Sequence, residues 1–350
     1  MRKRKTAWLL AFGLILAGCS GGGGGGAIAV TGPINNGSGN TTTSPPAVTS
    51  VNIAGAPPAS FVSQGFATVP MPVASATTPN FKTSFPAAGA IFPFYQTGFQ
   101  ITPTSVAGLS PSAGATLTFT GPTTVGGVAA EAFEFKDQDF RLDIPNVTGD
   151  GSIIQVPGTS QQFSLAGANL NYTLFGAWSL SPVSGTANTS ILRVGISGYR
   201  TPDSAVPTGT ANYAGAGTTG GAVGTVFIPS GTGTISAASL TGNASVTANF
   251  STGGISGSLT NMTATPSGGT AAPWNNVSLQ GSMSGASFSG TTASSGTPPP
   301  GSNSLDGSAT GSFSGFLFGP TAQELGAIWS LHDATGQGKS ALGGIAATKQ

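Results

Sequence analysis

The chain has 350 residues, of which 56 are Gly, 25 are Pro and only 6% are charged, whereas about a quarter of residues are charged in ordinary globular domains. Its formal net charge of +1 makes it a poor match for nucleic acid or an anionic membrane surface. Disorder is disfavoured as well, because 38% of residues are hydrophobic and the 20 Phe lie in short alternating runs. The length is typical of two domains rather than one.

The N-terminus combines a basic start with an apolar run from Ala7 to Ala17 that is too short to cross a bilayer. This pattern predicts a signal peptide over residues 1–18. Its end, "LAGC", resembles a bacterial lipobox, and the resemblance implies cleavage before Cys19 and lipidation of that residue. The alternative is a chance cysteine at the end of an ordinary signal peptide. Cys19 is the only cysteine of the chain, so it has no partner for an internal disulfide.

The lipobox resemblance also implies the membrane in which the anchor lies and the net charge of the chain after cleavage. An Asp after the lipidated cysteine favours retention at the inner membrane of enteric bacteria, and here Ser20 stands instead. We therefore expect a lipid anchor in the outer membrane. Removal of the leader, with its four basic residues, leaves seven basic and ten acidic groups, hence a net charge of −3. Residues 19–50 contain six consecutive Gly and predict a flexible tether that reaches on the order of 30 Å.

Residues 51–167 are predicted to form a strand-rich domain of their own, with a boundary near Ala168. They hold six of the ten acidic residues and the aromatic segment "AIFPFYQTGFQITP". Strand alternation is visible in "ATLTFT" and in "EAFEFKDQDFRLDIP", where the phase changes at residues 137–139 and predicts a turn or bulge. The ligand-contact candidates are Phe92, Phe94, Tyr95 and Phe99. For any single one of these aromatics, burial in a second hydrophobic core is the favoured alternative.

Residues 168–350 predict a small antiparallel β-barrel, so the fold class is all-β. The hairpin "NASVTANFSTGGISGSLT" alternates on both arms around the turn "STGG". Further predicted strands cover residues 172–180, 191–199, 209–217, 277–288, 309–318, 328–332 and 341–347. About nine short strands are close to the eight of a small up-and-down barrel, whose narrow interior suits Gly and Ala.

The passage "GFLFGPTAQELGAIWSLHD" carries the most specific local pattern of the chain. Pro320 ends a strand, and Thr321 to Glu324 match a capping box, which predicts one helical turn before the next strand. Glu324 is therefore interpreted as a helix cap rather than a catalytic acid, because no second carboxylate lies nearby in the sequence.

The segment "GSFSGFLFGPTAQELGAIWSL" resembles the closing strands of the β-barrel in transferrin-binding protein B and related surface lipoproteins. Their pattern is approximately F-x-G-x-F-(Y/F)-G-P-x-A-x-E-(L/V)-G-G. The residues that match it are Phe313, Gly315, Gly319, Pro320, Ala322, Glu324, Leu325 and Gly326. Ala327 replaces the second Gly of the pair. Upstream, "YTLFGAWSL" and the hairpin segment resemble earlier barrel strands, so the similarity extends over about residues 172–347. It implies one lobe, made of a handle domain and a barrel. It also implies a surface binding protein for a host protein or an iron or haem source, which delivers cargo to an outer-membrane transporter.

Chemistry-bearing residues are scarce, so neither an enzyme nor a cofactor or metal site is predicted. Asp137, Asp139 and Asp143 lack the Gly and bidentate Glu of a calcium loop, and solvated strand edges are favoured over a calcium site. His332 has no nucleophile elbow near it and is interpreted as a loop histidine. "TGQGKS" resembles the end of a P-loop, yet a strand rather than a helix follows it, which predicts a hairpin loop.

Two functional hypotheses from different classes remain open. The first is a surface lipoprotein that binds a partner, with recognition mainly in loops of residues 51–167, or otherwise in barrel loops such as Thr201–Thr208 and Thr291–Ser304. The second is a structural or adhesive surface lipoprotein without soluble cargo.

Overall fold

The computed structural model describes residues 71–81, 86–101, 106–109, 115–125, 128–137, 140–147, 152–155, 161–182, 190–216, 221–229, 235–266, 268–333 and 338–350. This part of the chain consists of β-strands joined by turns and loops, with one short 3-10 helix at Asp203–Ala205. The all-β prediction is confirmed. Where the structure is described, the chain has no helix with the length and apolar character needed to cross a membrane.

Nine antiparallel strands form the first sheet. They are β1 (Ile91–Ile101), β2 (Val106–Leu109), β3 (Ala115–Val125), β4 (Val128–Asp137), β5 (Phe140–Val147), β6 (Ser152–Gln155), β7 (Gln161–Asn169), β8 (Thr173–Pro182) and β9 (Ser190–Gly198). Their order is β5-β4-β3-β1-β9-β8-β7-β6, and β2 pairs with the far part of β1. The pairing of β1 with β9 brings together residues distant in sequence, such as Tyr95 and Ile196.

Ten antiparallel strands form the second sheet, which closes into a barrel. They are β10 (Thr210–Ala216), β11 (Gly221–Pro229), β12 (Ile235–Asn249), β13 (Gly254–Pro266), β14 (Ala272–Pro273), β15 (Asn276–Ser284), β16 (Ser287–Ser295), β17 (Thr310–Phe318), β18 (Glu324–His332) and β19 (Ser340–Lys349). The closed ring runs β12-β11-β19-β18-β17-β16-β15-β13 and returns to β12. β10 and β11 lie end to end in the same position of the ring, and each pairs with both β12 and β19. The predicted eight-stranded barrel is confirmed, and its closure leaves no unpaired edge in the ring.

The local strand predictions agree with the structure at most positions. The "STGG" hairpin joins β12 to β13, with Asn249 paired to Gly254, and the phase change at residues 137–139 coincides with the end of β4 and the start of β5. The single strand predicted over residues 277–288 is wrong, because a tight turn at Gly285 divides it into β15 and β16. Gly285 has φ +57°, a conformation that glycine adopts without steric cost.

Two predicted barrel strands belong to the first sheet instead. Residues 172–180 and 191–199 correspond to β8 and β9, which pair with each other and continue into β7 and β1. The change from one sheet to the other therefore falls between Gly198 and Thr210 rather than near Ala168. Alternation along a strand indicates that one face is buried, but it does not identify the neighbouring strand.

The barrel interior is filled by side chains from alternate positions of its strands. In β18, Leu325, Ala327 and Trp329 all belong to the buried core cluster. Glycines make room for the large rings, since a Cβ on Gly290 would lie 2.6 Å from the Phe313 ring. A narrow barrel of eight strands is expected to be filled in this way.

The first sheet packs against the outside of the barrel, where a second hydrophobic cluster lies. From the first sheet the cluster takes Tyr95, Phe175, Leu192, Val194 and Ile196, and from the barrel it takes Phe227, Phe316, Phe318, Ile328 and Leu342. The Phe175 ring fits over Gly344, because a Cβ at that glycine would lie 1.7 Å from the ring. Tyr95 adds a hydrogen-bonding contact, with its hydroxyl 2.7 Å from Ser314 Oγ.

Candidate functional site

Glu324 lies at the junction between the barrel and the first sheet, and its side chain is only 1% exposed. Its carboxylate accepts hydrogen bonds from the backbone N–H groups of Asn171 at 2.7 Å and Tyr172 at 2.9 Å. The Thr173 hydroxyl donates a third, also at 2.9 Å. Hydrogen bonds to an ionised acceptor are among the stronger ones in proteins. Glu324 therefore ties the start of β8 to the barrel.

The predicted capping box at this turn is wrong. Glu324 is the first residue of β18 and pairs with Phe318 and Thr348, so no helical turn forms between Pro320 and β18. Ala322 has φ +57° and is fully buried, and its carbonyl accepts a 2.9 Å hydrogen bond from the Tyr213 hydroxyl. Burial also raises the pKa of Tyr213, which favours the neutral phenol that makes this bond. The turn is a structural corner, but its contacts are tertiary rather than local.

The aromatic ligand-contact candidates of β1 are interior residues where the structure describes their side chains. Phe92 packs against the rings of Phe81, Phe119 and Tyr199, and Phe81 also stacks on Tyr199. The ring centroids of these four pairs are 5.1 to 5.8 Å apart. Phe94 and Tyr95 are 5% and 3% exposed. These positions support the alternative of a second hydrophobic core. The side chain of Phe99 lies outside the described residues, so its assignment stays a prediction.

The end of the barrel at which β16 joins β17 contains a concentration of charge. We define the loop end by residues 268–275, 296–309, 333 and 338–339. Residues 204–350 contain six Asp, Glu, Lys, Arg or His residues in all. Four of the six, namely Asp306, His332, Asp333 and Lys339, lie in or directly beside the loop end. This grouping makes the loop end the polar functional candidate of the barrel.

The 14-residue connection over residues 296–309 is long for a barrel whose opposite end has turns of two to five residues. Connections of this length are uncommon in compact domains unless they carry a function. Thr297, Pro300, Gly301 and Ser302 are exposed at its tip. Three consecutive prolines, residues 298–300, restrict the backbone of this tip.

Buried side chains clamp the base of this connection to the barrel. The Asn275 side chain accepts from Leu305 N–H at 2.9 Å and donates to Leu305 O at 3.0 Å. Trp274 Nε1–H donates to Asn303 O at 2.8 Å, and Leu305 itself reaches into the barrel core. The clamp holds an exposed tip on a rigid base, which is the usual arrangement of binding loops.

Charged groups add a second set of ties at the loop end. Asp333 Oδ1 accepts from the Asp306 N–H at 2.7 Å, and Lys339 Nζ donates to Ser304 O at 2.9 Å. Burial raises the pKa of Asp333, an effect that this hydrogen bond and the charge of Lys339 oppose. The resulting surface offers carboxylate, ammonium, hydroxyl and backbone groups for polar contacts with a partner.

His332 is the last residue of β18, in agreement with the strand predicted over residues 328–332, and its interpretation as a loop histidine is wrong. Its Nδ1 lies 2.9 Å from Oγ of Ser340, its register partner on β19. Burial lowers the pKa of the imidazole. The pair joins the two strands directly beside the loop end. The P-loop alternative is excluded as the sequence predicts, since residues 338–339 lie in a hairpin connection and Ser340 begins a strand.

Other predicted positions receive no structural description. Cys19 and the tether lie outside the described residues, as does Asp139, while Asp137 and Asp143 are described only through the backbone of β4 and β5. Across the described part of the chain, no three His, Cys, Asp or Glu side chains are grouped to hold a metal ion.

Sequence reasoning missed the loop end as a unit. Asp306 and Asp333 are separated by two full strands, and only the pairing of β17 with β18 brings their loops together. The one available signal was the long uncharged stretch that ends at Asp306.

Residues 206–349 match the family model described as the C-lobe and N-lobe β-barrels of Tf-binding protein B. The match begins just before β10 and ends with β19, so it coincides with the barrel. The resemblance found in the sequence is confirmed over this range, but the family model does not reach the upstream part from Tyr172. No curated protein is significantly similar to the chain.

Several solved structures are similar to this chain at low identity. A transferrin-binding protein B variant of Haemophilus parasuis is 17% identical, with 73% of this chain and 45% of that chain covered and a TM-score of 0.42. The Neisseria meningitidis protein of that name is 20% identical, with coverages of 73% and 43% and a TM-score of 0.38. The N-lobe of lactoferrin-binding protein B of Moraxella bovis is 13% identical, with coverages of 55% and 81% and a TM-score of 0.34. The chain thus spans less than half the length of the first two proteins.

Proposed function

We propose that this chain, whose residues 206–349 form a β-barrel of the transferrin-binding protein B type, is a lipid-anchored surface protein of the bacterial outer membrane that binds a protein partner. The lipobox at Cys19 and the tether of residues 19–50 support the anchor. The barrel and the first sheet form the scaffold that the tether holds away from the membrane.

The clamped connection over residues 296–309 is the observation that carries the proposal. Its base is fixed by Asn275 and Trp274, so its exposed tip loses little conformational entropy when a partner binds. Asp306 and Lys339 beside it provide charges of both signs, which orient an approaching protein.

The partner class follows from the family of the barrel. Proteins of this family are named for transferrin, and one similar structure is named for lactoferrin. We propose a host or environmental protein, or a haem or iron carrier, as the cargo, and an outer-membrane transporter as its recipient. No cofactor is part of this proposal, because binding by loops requires none.

Residues 51–167 remain the second location proposed for recognition. The acidic residues of that segment still support it, whereas the burial of Phe92, Phe94 and Tyr95 removes part of its aromatic support. This burial favours the loop end as the location of partner recognition.

A pull-down distinguishes these locations. Tagged protein that begins at Ser20 is incubated with host serum or environmental fluid, and retained proteins are identified by mass spectrometry. Ser302→Arg places a bulky charge on the exposed tip, and Thr208→Arg does the same on an exposed loop at the opposite end of the barrel. We expect the wild type to retain a partner saturably. Ser302→Arg should lower the affinity for that partner about tenfold or more, a change of about 1.4 kcal/mol in binding free energy. Thr208→Arg should bind like the wild type.

Two results would contradict the proposal in different ways. Full binding by Ser302→Arg, together with transfer of specificity on exchange of residues 51–167 with those of a relative, would move recognition to that segment. Failure to retain any saturable partner would favour a structural or adhesive surface protein without soluble cargo.

A further inference from the structure

The tip of the connection over residues 296–309 contains the only run of three prolines in the chain, Pro298 to Pro300. A proline ring fixes φ near −65°, and a residue that precedes a proline is restricted to extended ψ values. Both restrictions act on Pro298 and Pro299, and the second acts on Thr297. The sequence therefore imposes the left-handed polyproline II conformation on this run. The structure agrees, since Pro298 and Pro299 lie in neither a helix nor a strand.

Two glycines bound the proline run. Gly296 has φ +75° and Gly301 has φ +153°, values that glycine adopts far more readily than other residues. The chain therefore bends on both sides of the run. A Cβ built on either glycine would meet no atom within 4 Å, so the space around both bends is open. Because Thr297 and Pro300 are exposed as well, the run is accessible to a partner as large as a protein.

The rest of the connection supports the proline run from below. Pro298 is half-buried, and its ring lies over Gly307, where an added Cβ would be 3.4 Å from Cγ and Cδ of the proline. Just beyond the run, the Trp274 side chain donates its hydrogen bond to Asn303 O at 2.8 Å. The run is therefore ordered before a partner arrives, and little conformational entropy is lost when one binds.

The backbone of the run offers hydrogen-bond acceptors without the matching donors. The three prolines have no N–H group. Among the described residues, no group donates a hydrogen bond to the carbonyl of any residue from Thr297 to Pro300. These carbonyl groups are therefore available to N–H and O–H donors of a partner.

The chemistry of the run selects one of the general modes by which proteins recognise a peptide segment. Addition of the run to a β-sheet is excluded, because a strand ladder needs N–H donors that proline lacks. Docking as an amphipathic helix is excluded by the same three prolines, and recognition through charge is excluded because the run has none. The remaining mode places a polyproline II segment in a groove lined by aromatic rings. Proline rings pack on the aromatic faces, while Tyr and Trp donate to the free carbonyl groups.

We propose that the protein partner presents a short groove lined by Tyr and Trp side chains, and that this groove binds the proline run. The inference rests on the proposed function, because it names the surface of the partner that meets the tip. Three residues make one turn of a polyproline II helix, about 9 Å long, so the groove holds a single turn. Asp306 and Lys339, which are tied to the base of the connection, place charges of both signs beside this contact and orient the partner.

Displacement of the retained partner by free oligoproline tests this. The partner that the wild type retains in the pull-down is challenged with all-L decaproline, which forms the same left-handed helix, and with all-D decaproline, which forms its mirror image. We expect the all-L peptide to release the partner and the all-D peptide to leave it bound.

Variants of the run provide the second measurement. Pro299→Ala combined with Pro300→Ala should lower the affinity for the partner at least tenfold, because the groove loses two proline rings and the run loses its fixed conformation. Pro207→Ala, in the loop at the opposite end of the barrel, should bind like the wild type. Amide exchange at residues 303–305 should be the same in the double variant and the wild type, which separates loss of the contact from loss of the clamp.

Three results would overturn this inference while the proposed function stands, provided that a partner is retained saturably and Ser302→Arg weakens its binding. In the first, all-L decaproline does not release the partner. In the second, both peptides release it equally, and in the third, the double alanine variant binds it as tightly as the wild type does. Retention of no saturable partner would instead contradict the proposed function itself, and this inference with it.

Discussion

The carboxylate of Glu324, at the start of a barrel strand, accepts a 2.9 Å hydrogen bond from the backbone N–H of Tyr172, at the start of a strand in the other sheet. The two residues are 152 positions apart. The bond, with those from Asn171 and Thr173, crosses the junction between the barrel and the first sheet. A single side chain at a turn thereby fixes how the two sheets meet.

Glu324→Ala is expected to lower the free energy of unfolding by about 3 kcal/mol, because it leaves two backbone N–H groups in a partly buried site without their acceptor. Denaturant titration measures the loss. Amide hydrogen exchange at residues 171 and 172 should accelerate at the same time. Gln323→Ala, at the partly buried neighbouring position, removes only the hydrogen bond that its side chain accepts from the Thr321 N–H and should cost about 1 kcal/mol. Unchanged stability in Glu324→Ala would show that the junction does not depend on this carboxylate.

Gly344→Ala is expected to push the first sheet away from the barrel, because the new Cβ would lie 1.7 Å from Cε2 of the buried Phe175 ring. Overpacking of this kind costs about 1–3 kcal/mol. Thermal unfolding of Gly344→Ala, Phe175→Ala and the double variant measures the coupling between the two positions. In the Phe175→Ala background the added methyl should cost almost nothing. Gly254→Ala is the matched control, since its Cβ would meet only Thr252 Oγ1 at 3.3 Å. Additive effects of the two changes would contradict the contact.

The local features of the fold could be predicted from the sequence, because alternation and turn residues act over a few positions. The hairpin between β12 and β13 is an example, since Val246, Ala248 and Phe250 alternate with polar residues up to the "STGG" turn. The sheet membership of β8 and β9 could not be predicted in this way. Their alternation suits either sheet, and the contacts that decide it, such as Phe175 on Gly344, join distant parts of the chain.

The same limit applies to the candidate site. Glu324 matches a local capping motif, yet its partners are more than 150 residues away. Tyr95 is an aromatic residue of the kind that often binds ligands. Its side chain is instead buried against Phe316 and Ser314 of the other sheet. In both cases the residue type indicates which contacts are possible, but the surface that meets the side chain comes from a distant part of the chain.

His332 predicts a pH dependence of stability. Burial lowers its pKa below the ordinary 6.5, so the unfolded chain binds a proton at a higher pH than the folded chain does. Stability should therefore fall as the pH decreases below about 6.5. Asp333 follows His332 in the chain and interacts with Asp306 and Lys339, and its raised pKa acts in the opposite direction in a separate, more acidic range. In His332→Gln, which keeps an amide near Ser340, the loss near pH 6 should disappear. An identical pH profile in the variant would assign the dependence to other groups.

Cys19→Ser tests the anchor. We expect the wild type to fractionate with outer membranes and to carry acyl chains that mass spectrometry detects, because several chains give stable membrane attachment. Cys19→Ser should be soluble and unacylated. Ser20→Ala, at the next position, should remain membrane-bound. Equal acylation of Cys19→Ser and the wild type would show that the lipobox interpretation is wrong.

Asn275→Ala tests whether the clamp holds the connection over residues 296–309 in one conformation. Asn275 is 1% exposed and makes three hydrogen bonds, two with Leu305 and one with Ser294 Oγ. Its loss should cost about 1–3 kcal/mol, since the Leu305 backbone groups lose their partners. Amide exchange at residues 303–305 should accelerate more than in the barrel strands. Asn276→Ala, at the exposed neighbouring position, is the matched control and should change neither quantity. If the loop end is the recognition surface, Asn275→Ala weakens partner binding chiefly by loosening the tip, and cross-linking the tip to the barrel restores the binding. Unchanged exchange in residues 303–305 of Asn275→Ala would show that Trp274 and the charged ties alone hold the loop.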